Sequence, residues 1–233
     1  MGYLKSKIRS QQDPGLNKMS FRQQIPKSDE IRQLIHERYP ELFITQDSGV
    51  CVITGRFPVR ADEIVLDHYF VEICVLKGFP FEAPLVREIG GRIHRHVDRH
   101  VFLCGFLCLF LPLERWKHLP ETATILTYLD GPLNDYLFSQ TYFEEYGCWP
   151  FGERGHGKAG YREYLAEVLG TDDPNVAIRF LECLKGRDPK GHWLCFCGSE
   201  KKMRNCHLDK VIALRGKVTA EEIGSAIDIL TKD

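Results

Sequence analysis

Two groups of cysteine and histidine residues could do chemistry in this sequence, and the more regular group lies near the C-terminus. Cys195 and Cys197 are one residue apart, and after eight further residues comes the adjacent pair Cys206 and His207. Tetrahedral zinc takes four nitrogen and sulfur ligands, and three thiolates with one imidazole are a common set. Gly198 permits the sharp turn that would return the second pair to the first. The spacing predicts a structural zinc site, because four protein ligands leave no open position for catalysis.

The second group lies mid-chain, where Cys104 and Cys108 stand in the apolar run 101–113. Four titratable residues precede them: His94, His96, Asp98 and His100. Histidines near a cysteine can lower the pKa of the thiol or stabilise an oxyanion, so one thiol could be a nucleophile. The pattern also fits buried, unreactive cysteines beside a solvated loop, or an irregular metal site that mixes histidine with a thiol. Spacing alone leaves these three interpretations open.

Composition narrows the classes of function. The chain has 233 residues and a formal net charge of -1, so no overall field draws it to nucleic acid or anionic membrane. Nucleic-acid binding through Lys201, Lys202 and Arg204 is therefore a weak hypothesis. The chain lacks a run of about 18 apolar residues, which argues against a membrane span. Residues 1–24 are basic and polar without the apolar segment of a signal peptide, so we expect a cytoplasmic protein with reduced thiols.

The elements that must position these residues follow the order helix, strands, helices. A helix is predicted from Ser28 to Pro40, with a capping serine and an apolar stripe. The pattern then predicts strands over 49–57 and 64–76, a turn and edge segment over 79–87, a loop over 88–100, and a buried strand and turn over 101–113. It further predicts a helix over 122–138 broken at Gly131-Pro132, a loop over 139–160, and helices over 161–169, over 174–185 and after a Thr219 cap. This order indicates an α+β fold with an antiparallel meander.

The C-terminal group resembles the SEC-C motif. That motif reads Cys-x-Cys-Gly-Ser-x-Lys-Lys-x-x-x-Cys-His, and residues 195–207 match it. The resemblance implies a small structural zinc (Zn2+) module, of a kind often appended to bacterial proteins as a protein-contact element.

The larger part of the chain resembles the ubiquitin-conjugating (UBC) family over about residues 28–140. Phe79-Pro80-Phe81-Glu82-Ala83-Pro84 is similar to the family's Tyr-Pro-Phe-x-x-Pro turn. Leu107-Cys108-Leu109 is similar to the catalytic Ile/Leu-Cys-Leu, and Trp116 follows Cys108 by eight residues as a tryptophan does in the family. The resemblance implies a UBC-like antiparallel meander sheet flanked by helices, to which the zinc module is added.

The resemblance also implies roles for the central residues. It favours Cys108 as the thioester-forming nucleophile, with Cys104 as runner-up because His96 precedes Cys104 by eight residues, the family's spacing for its asparagine. The family's His-Pro-Asn tripeptide is missing, so His100, or His96 for the runner-up, would have to stabilise the oxyanion. Asp98 or Glu114 would deprotonate the incoming amine.

The implied organisation is an N-terminal arm over 1–27, a UBC-like domain with a bacterial-type extension over 28–165, and a C-terminal helical region with the zinc knuckle over 166–233. The segment 149–157 within the extension is a packed loop, a rigid loop over the site or a surface for a partner. The implied partners are a ubiquitin-like or other Gly-ended protein and an activating enzyme. A nucleotidyltransferase of the CD-NTase kind, in a CBASS-like antiphage-defence operon, is a candidate partner. The alternative is a catalytically inactive UBC-like protein-binding module.

Overall fold

A computed structural model describes residues 29–47, 50–152 and 154–232. The predicted arm over 1–27 and the predicted helix start at Ser28 lie outside these residues. Helix α1 spans Asp29–Arg38 and leads into a four-stranded sheet. The strands are β1 (Leu42–Asp47), β2 (Val50–Ala61), β3 (Ile64–Val75) and β4 (Leu85–Glu88). They pair antiparallel in sequence order, so the predicted α+β meander is confirmed, with β4 at its edge as predicted.

One face of this sheet carries the first hydrophobic core. Alternate residues of β2 and β3 are fully buried, among them Ile53, Val71 and Ile73, because side chains alternate between the two faces of a strand. Helical segments cover this face: α3 (Ile125–Tyr128), a widened turn (Leu129–Leu133) and α4 (Asn134–Tyr146). The short helix α2 (Arg115–His118) precedes them, and its Trp116 packs against a second core. The predicted break at Gly131-Pro132 is a local departure from helical geometry, after which the helix resumes.

A second core lies C-terminal to the first. It is enclosed by α5 (Lys158–Leu169), α6 (Pro174–Lys185), α7 (Leu208–Leu214) and α8 (Ala220–Thr231). Phe180, Leu181 and Val211 are fully buried at its centre. Leu113 belongs to this second core although it precedes α2, so the two cores meet beside the apolar run.

A buried ion pair joins the two cores. The guanidinium of Arg115 donates from Nε to Glu222 Oε1 at 2.6 Å, from Nη1 to the carbonyl of Pro80 at 3.2 Å and from Nη2 to the carbonyl of Lys217 at 2.7 Å. Glu222 also closes the predicted capping box of α8, since its side chain accepts from the Thr219 backbone and Thr219 accepts in return. Because isolated buried charges are costly, these bonds fix the turn at Pro80 against the C-terminal helices.

Two predicted elements are corrected. The run 101–113 forms no strand beyond one bridge between Val101 and Leu107, because Gly105 adopts a left-handed conformation that turns the chain sharply. Residues 139–146 continue α4 and are no loop; aromatic and acidic residues obscure its helical stripe, yet Gln140 and Tyr136 are buried. Strand β1 and helix α7 are additional elements. None of the helices in the described ranges is long and apolar enough to cross a membrane.

Candidate functional site

Cys108 is placed by a tight turn that follows the edge strand. A 3-10 turn over Val97–Arg99 ends at His100, which has a left-handed φ of 51°. The carbonyl of His100 accepts a hydrogen bond from the Cys108 backbone N–H at 2.8 Å. The predicted nucleophile and the predicted oxyanion residue are therefore brought together by backbone geometry.

Side chains of helix α4 fix this turn through hydrogen bonds to Arg99. The fully buried side chain of Gln140 donates to the carbonyl of Arg99 at 2.8 Å and accepts from Arg99 Nε at 2.7 Å. The hydroxyl of Tyr136 donates to the same carbonyl at 2.8 Å. A buried amide with both ends satisfied gives the backbone before Cys108 one well-defined position.

The Cys108 thiol is half-buried where two clefts adjoin. The smaller cleft has a volume of about 300 Å³, and the larger has a volume of about 660 Å³. Both are lined by Phe102, Cys108, Leu109 and Phe110. Burial raises the pKa of Cys108 to about 11, so the thiol is protonated at neutral pH and needs a proton acceptor to react.

Three histidines from distant parts of the chain line the smaller cleft: His100, His118 and His156. The rings of His100 and His156 lie 4.5 Å apart between centroids, and Trp149 meets His100 edge-on at 5.4 Å. His118 stacks on Phe110 at 4.8 Å. The described part of the segment 149–157 thus contributes His156 to the lining of the smaller cleft, while Trp149 contacts the ring of His100.

Three of the other predicted catalytic residues, Asp98, His96 and Cys104, lie outside both clefts. Asp98 pairs with His96, with 3.3 Å between Oδ2 and Nδ1, and both side chains are mostly exposed. Cys104 is at the exposed tip of the turn beside Leu103, whose side chain is 95% exposed. None of these three polar residues lines either cleft, whereas Glu114, the other predicted base, lines the smaller one.

The C-terminal ligands converge as predicted. The four ligand atoms of Cys195, Cys197, Cys206 and His207 all lie within 4.8 Å of one another. Cys197 Sγ is 3.5 Å from Cys206 Sγ, and His207 Nδ1 is 3.1 Å from Cys206 Sγ and 3.3 Å from Cys195 Sγ. Tetrahedral zinc with bonds of about 2.3 Å to sulfur places its ligand atoms about 3.8 Å apart, so these four groups could hold such an ion with a small relaxation.

The surrounding chain orients these ligands. Leu194 bridges Lys202, and the Cys195 backbone N–H donates to the carbonyl of Lys201 at 2.9 Å, which returns the second pair to the first. His207 directs Nδ1 at the thiols while its Nε2 lies 3.3 Å from the carbonyl of Leu169 at the end of α5. A second hydrogen bond of this kind fixes the tautomer of a metal-binding histidine, which supports the fit of a metal ion.

The thiols of this cluster differ in acidity before any ion binds. Burial raises the pKa of Cys195 to about 12. Burial also acts on Cys197, but hydrogen bonds with Ser199, Cys195 and Cys206 together outweigh it and lower the pKa of Cys197 to about 6. Metal binding would take all three thiols as thiolates and so releases protons.

Comparison of the chain with protein-family models, with characterised proteins and with solved structures gave no match. The function of the site therefore rests on its own geometry.

The sequence analysis did not predict that His118 lines the cleft, because this residue lies outside the histidine-rich loop. Its position ten residues after Cys108 was the one feature of the sequence that related it to the thiol.

Proposed function

We propose that this protein is an acyltransferase of the ubiquitin-conjugating type, in which Cys108 forms a thioester with the C-terminal carboxyl of a ubiquitin-like or other Gly-ended protein. The observation that carries this proposal is the position of Cys108, a lone thiol where two clefts adjoin, beside three histidines. Two clefts offer separate approaches for the acyl donor and for the amine that receives the acyl group. Such a transfer needs a reachable sulfur and groups that stabilise the oxyanion and move protons.

The larger cleft suits the tail of the acyl donor. Its walls are mainly apolar, with Phe79, Phe81 and Pro84 from the proline-flanked turn and Leu107 beside the thiol. Glu221 and Glu222 of α8 close its far side, so the C-terminal helices complete it. In this proposal the mainly apolar cleft, with the Cys108 sulfur in its lining, accommodates an extended chain whose last residues lack side chains.

The chemistry proceeds in two balanced steps. The Cys108 sulfur attacks the activated carbonyl of the donor, a thioester supplied by an activating enzyme, and the donor's thiol leaves with the proton. The amine then attacks the Cys108 thioester; the carbon–sulfur bond breaks, an amide forms and the thiol is regenerated. In this proposal His100, whose backbone carbonyl accepts from the Cys108 N–H, donates a side-chain hydrogen bond to the oxygen that gains charge in each step.

The C-terminal knuckle, formed by Cys195, Cys197, Cys206 and His207, has a structural role in this proposal. We infer that its ion is zinc, because three thiolates and one imidazole form a preferred set for that metal. All four positions are taken by protein atoms, so the ion stabilises the fold around α5 and α7 and takes no part in the transfer.

A second candidate function is a non-catalytic protein-binding module. One observation favours it: burial keeps the Cys108 thiol protonated, with a pKa of about 11. In that case the two clefts would bind a partner's segment without covalent chemistry.

Intact mass spectrometry distinguishes the two functions. The full chain is incubated with a short peptide that ends in Gly-Gly as a mercaptoethanesulfonate thioester. We expect rapid formation of one peptide adduct, removed by dithiothreitol, on the native protein and on Cys104→Ala. On Cys108→Ala we expect only the slow uncatalysed exchange that exposed thiols such as Cys104 and Cys148 undergo with a thioester. A rapid adduct that persists in Cys108→Ala but vanishes in Cys104→Ala would move the nucleophile to Cys104. Absence of any rapid adduct would favour the binding module.

A further inference from the structure

His118 occupies a distinctive place in the smaller cleft. It is the last residue of α2, and its ring lies flat on Phe110 with an interplanar angle of 12°. The carbonyl of Phe110 is 3.9 Å from the Cys108 sulfur. Phe110 therefore contacts both groups, the imidazole through its ring and the thiol through its carbonyl. His118 and Cys108 both line the smaller cleft.

The imidazole of His118 is positioned by the buried ion pair of Arg115 and Glu222, which connects the two cores. Residue 118 ends a single helical turn that begins at Arg115, and the guanidinium of Arg115 also donates to the carbonyl of Leu119 at 3.4 Å. A base held on such a buried anchor keeps its ring in one orientation, which proton transfer requires.

The charges around His118 suit a proton acceptor. Burial lowers its pKa below the ordinary value, which leaves a neutral imidazole at pH 7. The carboxylates of Glu114, on the preceding turn, and Asp135, on α4, oppose this shift, while Lys117 adds to it. Arg154, His100 and His156 face the same cleft from the other segments. A base with carboxylates close by is stabilised once it takes up a proton.

We propose that His118 is the general base of the transfer step and defines the smaller cleft as the binding site for a primary amine, such as a lysine side chain. The imidazole accepts the proton that the amine nitrogen loses as it attacks the Cys108 thioester. It then returns this proton to the departing sulfur, so the thiol and the neutral imidazole are both restored. This assignment rests on the function proposed above, and it goes beyond it by replacing the two predicted bases. Asp98 lies outside the cleft, and Glu114, which lines it, is paired with Lys117 at 2.7 Å and with Arg154 at 3.9 Å.

The test separates formation of the adduct from its discharge. The Gly-Gly peptide adduct is formed on each protein, freed of excess peptide, and mixed with lysine at pH 7.5, and its decay to the free protein and peptidyl-lysine is followed by mass. The variants are His118→Gln, His118→Ala, His156→Gln and, as a matched control on the exposed face of α1, His36→Gln. General-base catalysis contributes at least about 100-fold, so we expect His118→Gln to slow the discharge by about that factor while His36→Gln matches the native protein.

Addition of imidazole distinguishes a chemical role from a structural one. We expect added imidazole to speed the discharge of His118→Ala and to leave the native protein unchanged. A native rate in His118→Gln, or a slow rate without imidazole rescue, would overturn the assignment; a slow His156→Gln beside a native-like His118→Gln would transfer the base to the 149–157 segment. Failure of the proposed function has a different signature, since the native protein would then form no rapid adduct on Cys108.

Discussion

The C-terminal knuckle and the smaller cleft arrange their side chains differently. In the knuckle, four ligand atoms lie within 4.8 Å of one another, whereas in the cleft the Cys108 thiol shares the walls with the rings of three histidines. The knuckle ligands lie within 13 residues of chain, from Cys195 to His207. In the cleft, His156 lies 48 residues after Cys108 and 56 residues after His100 in the chain. The comparison contrasts three thiols and an imidazole that could share one metal ion with a single thiol that lines a cleft beside ionisable side chains.

The largest expected effect is loss of the metal. We expect one zinc per chain by elemental analysis, and none in Cys206→Ala. Structural zinc contributes on the order of 10 kcal/mol in zinc-finger peptides, so removing it should unfold the knuckle and lower the melting temperature by at least about 10 °C. Cys183→Ala, which changes a half-buried thiol on α6, should keep its zinc. If the native chain contains no metal, the inference that the knuckle is a zinc site is wrong.

The joint between the regions should give the next largest effect. Arg115→Met leaves the Glu222 carboxylate buried without its partner, and we expect it to reduce the free energy of unfolding by about 3–5 kcal/mol in urea titrations. The exposed pair of Arg56 and Glu41 provides a control, since Arg56→Met should cost at most about 1 kcal/mol. Equal costs for the two substitutions would mean that the buried pair does not hold the cores together.

The difference between thiols should appear in alkylation rates. The pKa of Cys108 is raised from 9.0 to about 11, so at pH 7.5 its thiolate fraction is about 100-fold below that of an ordinary cysteine. We expect iodoacetamide to modify the exposed Cys104 first, and the Cys108 rate to rise about tenfold per pH unit up to pH 11. Peptide mapping measures both sites. A Cys108 rate that is flat between pH 7 and 9 would show that burial does not suppress its ionisation.

The smallest expected effect tests the cap of α8, the helix that borders the larger cleft. Thr219→Ala removes the acceptor of the Glu222 backbone N–H and should cost about 1 kcal/mol. Thr231→Ala at the far end of the same helix should stay within about 0.5 kcal/mol. If both changes are silent in urea titrations, the capping box does not position Glu222.

The sequence predicted the knuckle well because its information is local. The ligand pairs, the turn at Gly198 and the Thr219 cap depend on neighbours a few residues away, and each lies where the pattern places it. Strands β2 and β3 were also predictable, since alternation of buried residues is a property of each strand by itself, whereas β1 was not predicted.

The cleft could be predicted only in part. The backbone contact between His100 and Cys108 was within reach of spacing arguments, whereas the approach of His118 and His156 depends on how α2 and the segment before α5 pack. Asp98 was chosen because it is near in sequence, yet its side chain turns outward to His96. The run 101–113 was misread as a strand because its apolar residues serve both cores and the walls of both clefts.

The exposed turn at Leu103 and Cys104 also makes this protein easy to observe. Phe102, the neighbour of these residues, lines both clefts, so a fluorophore on Cys104 would stand at their entrance. Cys148 is another exposed thiol outside the knuckle, so Cys148→Ser would favour a single site of attachment. Such a dye would report, in real time and without a radioactive or tagged partner, whether a peptide enters or leaves.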